Sequence, residues 1–230
     1  MARESTHGPL HLRPHAAVAE RVLAPGDPGR ALRLAQDLLD APKMLNHKRG
    51  LWGYTGAAAD GAPLTIQSTG MGGPSAAIVV EELIALGARR IVRAGTAGAL
   101  DGALRPGDLL AAEAVLARDG ASRALGGGDV LAPDAELTAA LRARAATGAV
   151  VSTDLFYDGR PGVAEEWRRA GALAVEMEAA AVLAAAARHG VRAACLLLVS
   201  DVAGGGDRLT GDALHAAELE LGRAAYAALA

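Results

Sequence analysis

The hydrophobic pattern is strongest between Leu173 and Asp201, LAVEMEAAAVLAAAARHGVRAACLLLVSD. One apolar run ends at Glu176-Met177-Glu178, an alanine-rich stretch of high helical propensity extends through Arg188, and a second apolar run covers Ala193 to Val199 before Ser200-Asp201. This order predicts a βαβ unit with parallel strands whose polar ends share one sheet edge, where open α/β sheets bind ligands. Glu176 and Glu178 also suit the start of a helix, and Asp201 the opening of a turn. For Glu176 alone the helix-start reading is sufficient. Glu178 and Asp201, each at the end of an apolar strand, together predict a site.

Strands that run into glycine-rich turns recur upstream. Arg21 to Ala24 is a short strand leading into Pro25-Gly26-Asp27-Pro28-Gly29-Arg30, and Ala31 to Leu39 carries helical periodicity. Bare N–H groups at such a helix start bind anions, with Arg30 adding a fixed charge; a plain N-capped turn explains the same residues. Residues 43–56 group Lys43, Lys48 and Arg49 with Trp52 and Tyr54, and a turn at Asp60-Gly61 separates two strand-like runs. Pro63 to Gln67 is a strand closing in the turn Gly70 to Ser75, before a helix over Ala76 to Leu86. The glycine spacing in that turn does not fit a dinucleotide fingerprint, and no acidic residue caps a following strand at the required distance. Next, Arg89 to Gly98 is an apolar strand interrupted by Arg93 and closed by Gly95-Thr96-Ala97-Gly98. A buried Arg93 needs a carboxylate or an anion, so a salt bridge and a ligand explain it equally. Taken together, strand ends that each carry glycine with a hydroxyl or an arginine predict one converging phosphate site.

Further on come a strand from Asp108 to Val115, a flexible glycine-rich loop from Asp119 to Gly128, a helix from Pro133 to Arg144 and a strand from Gly148 to Thr153. Phe156, the only phenylalanine, follows in Asp154-Leu155-Phe156-Tyr157, where it either stacks on a flat ring or fills the core. A mobile loop at Gly204-Gly205-Gly206 precedes a closing helix over Thr210 to Leu229, and residues 1–14 read as a loose arm.

Composition narrows the function. A chain of 230 residues buries one large core and predicts a single α/β domain. With a net charge of −3 and no long basic run, nucleic acid and anionic membrane surfaces are not expected partners. The one cysteine, Cys195, lies in an apolar strand and reads as core. No signal peptide or membrane segment is recognisable, which predicts a cytoplasmic protein. The six histidines, at 7, 11, 15, 47, 189 and 215, show no paired ligand spacing, so no metal is expected.

GDPGR at 26–30, RGLWGYTG at 49–56, GMGGPS at 70–75, VRAGTAGAL at 92–100, STDLFY at 152–157, VEMEAAAV at 175–182 and VSD at 199–201 resemble, in order, the hexameric branch of the purine nucleoside phosphorylase and uridine phosphorylase family. The likeness covers nearly the whole chain and is greatest to the purine nucleoside and methylthioadenosine phosphorylases of that branch. It implies a three-layer α/β/α domain with a central mixed, partly barrel-like sheet. It also implies phosphate-dependent cleavage of the N-glycosidic bond of purine nucleosides or deoxynucleosides, with inorganic phosphate as co-substrate and no cofactor. By the same resemblance Gly26, Arg30, Arg93 and Thr96 bind phosphate, with Arg49 supplied by a neighbouring subunit. Met71, Met177 and Glu178 hold the ribose, and His11 reaches into the neighbour's site. Phe156, Val175, Glu176, Ser200 and Asp201 line the base pocket of a homohexamer built as a trimer of dimers. Asp201, protonated through desolvation in a closed pocket, donates to purine N7 as general acid.

The chain departs from the family pattern in places. Where bacterial purine members carry an arginine in the last helix to assist the aspartate, this chain has Leu214, with Arg208 out of register. The Gln-x-Arg motif of the uridine branch is absent after Tyr157, which is followed by Asp158-Gly159-Arg160-Pro161, and this favours purine over pyrimidine. The stretch from Arg118 to Pro133 is short, which predicts an open base pocket. Rival readings are a uridine or methylthioadenosine phosphorylase, a water-using nucleosidase, which would not need Arg30, Arg49 and Arg93, and a nucleoside-binding protein without chemistry, against which Glu178 and Asp201 speak.

Overall fold

In the apolar run that ends at Asp201, alternate residues face opposite sides of a sheet. Ala193, Cys195, Leu197 and Val199 enter one core and Ala194, Leu196 and Leu198 another, all at most 4% exposed. A strand covered on both faces reads as a continuous hydrophobic run, which is why its polarity pattern does not alternate. The computed structural model describes residues 8–100 and 102–230; residues 1–7 of the expected arm, including His7, lie outside the described residues.

The elements follow as β1 (Arg21–Ala24), α1 (Pro28–Leu38), β2 (Asp40–Asn46), β3 (Gly53–Ala57), β4 (Pro63–Gln67), α2 (Gly73–Ala85), β5 (Arg90–Ala99), β6 (Leu109–Arg118), α3 (Gly120–Ala124), β7 (Val130–Leu131), α4 (Ala135–Arg142), β8 (Ala146–Thr153), α5 (Val163–Arg169), β9 (Ala172–Glu176), α6 (Ala179–Arg188), β10 (Arg192–Val202) and α7 (Gly211–Ala227). A 3-10 turn at Lys48–Gly50 interrupts the segment between β2 and β3. Strands β10, β6, β8, β9 and β5 close into a ring, because β5 pairs back onto β10. On its other side β5 continues into an open wing of β1, β4, β3 and β2. Helices α2, α3 and α6 cover one core and α1, α4 and α7 the other, giving the three layers and the partly barrel-like mixed sheet that the resemblance implied.

Several expectations are corrected. Strand β10 is parallel to β5, but β9 is antiparallel to it, so β9 and β10 run in opposite senses and do not form the parallel βαβ pair. Their polar ends still meet, because Val175 and Asp201 both pair with Gly98 from opposite edges of β5. The expected flexible loop at Asp119 to Gly128 begins with α3, whose N-cap is the buried Asp119 accepting from Ser122 N at 2.7 Å. The described part of the arm is anchored rather than loose. Leu10, His11 and Leu12 donate their N–H groups to the Glu82 carboxylate at 2.6–3.0 Å, and the Leu12 side chain is buried in the core. The glycine-rich stretch after β10 turns back tightly, with Leu209 N on Ser200 O at 2.8 Å and Val202 N on Asp207 O at 3.3 Å.

Candidate active site

The strand-to-helix turns come together because their backbones bond to one another. Thr69 N donates to Pro25 O at 2.8 Å and Gly70 N to Gly26 O at 3.1 Å, setting the first two glycine-rich turns side by side. Asp27 caps α1, its carboxylate accepting from Arg30 N at 2.6 Å, with Pro28 at the first helical position. Gly70 and Gly72 have φ of 73° and 85°, conformations that disfavour a side chain. These turns, the end of β5 and the ends of β9 and β10 line a cavity of about 1110 Å³.

Arg93 is at the centre of its polar wall, 2% exposed. Its Nε donates to Glu176 Oε2 at 2.9 Å and its Nη2 to Glu178 Oε2 at 2.5 Å, while its Nη1 is buried with no partner among the described residues. Burial alone would lower the guanidinium's pKa, but Glu178 and then Glu176 hold it above the ordinary arginine value, so the charge is permanent. Burial pushes the Glu176 carboxyl up; Arg93 opposes this and Glu178 reinforces it. The cramped geometry explains two sequence features. A Cβ on Gly95 would lie 2.6 Å from Arg93 Nη2, and one on Gly98 would lie 2.8 Å from Asp201 Oδ1. Each glycine makes room for a neighbouring side chain, Gly95 for Arg93 and Gly98 for Asp201.

Gly26, Arg30, Arg49, Arg93 and Thr96 all line the cavity, as do Met71, Met177, Glu178, Phe156, Val175, Ser200 and Asp201. Arg49 is exposed in a left-handed conformation, φ 58°, at the cavity of its own chain. His11 does not reach that cavity; its Nδ1 contacts Glu82 at 2.8 Å. Glu176, expected against the base, also lines the cavity, but its carboxylate is engaged within the protein. Its Oε2 accepts from Arg93 Nε, Glu178 N and Ala179 N, each at 2.9 Å, and its Oε1 accepts from Ser152 Oγ, so both oxygens are occupied within the protein. The helix-start reading of this residue is the one that fits. Glu178 Oε1 accepts from Gly72 N at 2.5 Å, linking α6 to the second turn.

Phe156 and Tyr157 stand exposed at the mouth, edge to face with ring centroids 5.0 Å apart. Asp158 is held by Arg160, whose side chain keeps its carboxyl at about 2. At Asp201 the pairing of β10 with β5 slips by one residue, a bulge at Ser200 that re-aims the carboxylate. The Asp201 side chain is 25% exposed rather than enclosed, and Arg208 Nε lies 3.7 Å from its Oδ2. Arg208 was out of register by sequence count. It arrives because the chain doubles back through the glycines, bridging Asp201 to Arg208 across the backbone.

Sequence reasoning missed α5, which brings Val163, Ala164 and the buried Trp167 to the cavity; the charged pairs of Glu165 with Arg168 and Arg169 are the helical signal that marks it. It also missed Glu218, whose contact with Arg30 spans 188 residues and has no local signature.

The profile of the Phosphorylase superfamily matches residues 20–230. A purine nucleoside phosphorylase DeoD-type of Roseobacter denitrificans is 38% identical over 213 residues, 88% of this chain and 88% of that protein. One of Clostridium perfringens is 37% identical over 195 residues, 80% of this chain and 82% of the relative. A guanosine phosphorylase of Halorubrum lacusprofundi is 38% identical over 190 residues, 79% and 78% of the two chains. Among solved structures, uridine phosphorylase from Vibrio fischeri superposes with a TM-score of 0.82 at 27% identity, covering 92% of this chain and 90% of that one. The superfamily profile spans nearly all of the sequence, the relatives match over most of their own length, and the fold agrees throughout: this chain belongs to the phosphorylase superfamily.

Proposed function

We propose that this protein is a pentosyltransferase that cleaves the N-glycosidic bond of purine nucleosides or deoxynucleosides with phosphate, releasing the free base and the (deoxy)ribose 1-phosphate. The observation that carries this reading is the buried Nη1 of Arg93, a donor with no partner among the described residues, in the wall of the cavity that the Gly26 turn and Arg30 also line. A buried donor without a partner costs about 1–3 kcal/mol, and an anion accepting from it removes that cost. A Cβ built on Gly26 would lie 3.3 Å from Gly70 O and 3.9 Å from that nitrogen, so this turn packs directly beside Arg93.

In this reading Gly26, Arg30, Arg93 and Thr96 hold the phosphate dianion, with Arg49 of a neighbouring copy closing over it. Fixed donors of this kind stabilise charge without reorganisation. Met71 and Met177 pack on the sugar and Glu178 accepts from its hydroxyls. One phosphate oxygen bonds to C1′ as the bond from C1′ to the base nitrogen breaks, through a sugar of oxocarbenium character. The electron pair leaves with the purine, and Asp201 serves as the general acid that delivers a proton to N7. Arg208, at 3.7 Å, then stabilises the carboxylate that remains. Phe156, Val175 and Ser200 border the base. The relatives named purine nucleoside phosphorylase and guanosine phosphorylase support a purine substrate. A cytoplasmic homohexamer, in which His11 and Arg49 serve a neighbouring copy, completes the reading; that His11 does not line the cavity of its own chain supports it.

Base release from inosine, adenosine, methylthioadenosine and uridine, each with and without phosphate, tests the reaction. Phosphate-dependent release from a purine nucleoside is the expected result. Equal release without phosphate would make the protein a nucleosidase, and cleavage of uridine alone would overturn the role of Asp201.

A further inference from the structure

Glu218 has no part in the reaction just described, yet it is a carboxylate buried to 2% exposure on the last helix. Its Oε1 accepts from Arg30 Nε at 2.9 Å and its Oε2 from Arg33 Nη2 at 2.5 Å. Arg30 Nη1 is fixed in addition by Ala94 O at 3.3 Å, from the strand that carries Arg93. These contacts use Nε and Nη1 and leave Nη2 for a ligand. A flexible side chain on α1 is therefore held in one orientation by groups from α7 and β5.

The seat of α7 on α1 makes this possible. Gly222, one turn beyond Glu218, packs so closely that a Cβ there would lie 2.1 Å from Leu34 Cδ2. Arg33 occupies the other oxygen of Glu218 and also lies 3.7 Å from the Asp27 carboxylate, so the capped turn, both arginines and the last helix form one connected unit. A carboxylate shared by two arginines leaves Arg30 enough positive charge to attract a dianion, while its geometry is already set.

We propose that Glu218 is a positioning residue for phosphate: it acts through Arg30, holding that guanidinium aimed at the co-substrate before the co-substrate arrives. This rests on the phosphorolysis reading above. Glu218→Gln keeps the shape of the side chain but can no longer accept from both arginines through a charged group, and Glu218→Asp keeps the charge with the carboxylate drawn back by one methylene. The measurements are the Michaelis constants for phosphate and for the nucleoside, together with calorimetric titration of inorganic phosphate into the intact enzyme. In Glu218→Gln the KM and Kd for phosphate rise about tenfold while the nucleoside KM stays within about twofold, and Glu218→Asp shows a smaller rise in the same direction. A purely structural salt bridge would instead lower thermal stability and raise the KM for phosphate and for the nucleoside together, and that result overturns the proposal. So does an unchanged phosphate affinity in either folded variant. If Glu218→Gln does not fold, Glu218→Asp carries the test alone. Wild-type enzyme that neither binds nor requires phosphate would instead remove the phosphorolysis reading on which the proposal stands.

Discussion

Removing the carboxylate of Glu176 separates a residue that touches substrate from one that holds the site together. In Glu176→Ala, Arg93 Nε, Glu178 N and Ala179 N all lose their 2.9 Å acceptor, and Ser152 Oγ loses the partner to which it donates. Arg93 keeps only Glu178, at 2.5 Å. Deleting one partner of a buried ion pair costs about 3–5 kcal/mol, mostly from the charge and donors left behind. In a chain of this size each kcal/mol moves Tm by about 2–4 °C, so a fall of roughly 6–20 °C is expected by calorimetry. Glu176→Gln should cost only about 1 kcal/mol, since its amide oxygen can still accept at the Oε2 position and it resembles the protonated acid that burial favours. Both variants should raise the phosphate KM through Arg93 without altering the order of preference among purine nucleosides. A Glu176→Ala enzyme with wild-type Tm and changed base preference would refute this assignment and put Glu176 back against the base.

The upward shift at Glu176 has a pH consequence: between the ordinary glutamate value and the raised one, the folded chain holds a proton that the unfolded chain has released, so stability falls as pH rises through that window. The urea midpoint of wild type relative to Glu176→Gln should therefore decline with rising pH, and a flat or rising difference would contradict it. Glu82 behaves in the opposite sense. Burial alone would raise its carboxyl, but the N–H of Leu12 and then the groups of His11 hold it below the usual range, so its contribution is present above the ordinary glutamate value and is lost as pH falls through the depressed one. Hydrogen-exchange protection at Leu10, His11 and Leu12 should drop in acid and be absent at every pH in Glu82→Gln; full protection in that variant would show that the carboxylate does not anchor the segment. Asp201→Asn should lower kcat on purine nucleosides by about 10²–10⁴ with little change in the phosphate KM. Gly98→Ala, which puts a methyl 2.8 Å from Asp201 Oδ1, should lower kcat in the same way, and wild-type turnover in it would mean that the carboxylate's position is not critical.

Local pattern fixed much of this protein. The apolar runs at Arg21 to Ala24 and Ala193 to Val199, the Asp27-Pro28 start of α1 and the odd charge of Arg93 within a strand are all short-range signals, and each became the element or the buried group it indicated. Gly95 and Gly98, read as a turn that closes the strand, lie within β5, where they leave space for Arg93 and Asp201. Strand direction was not legible. An apolar strand of β9's composition pairs either way, and closure of the ring through β5, not the crossover rule, set β9 against β10. Nor could sequence distance reveal which carboxylate meets which arginine. The Glu176 carboxylate was engaged by Arg93, Arg208 reached Asp201 through the doubling back of the chain, and Glu218 met Arg30 across 188 residues. Hydrophobic periodicity is a property of a segment and survives in the one-dimensional chain. The partner of a buried charge is chosen by packing, because only the folded core brings the two together and removes the water that would otherwise satisfy each alone.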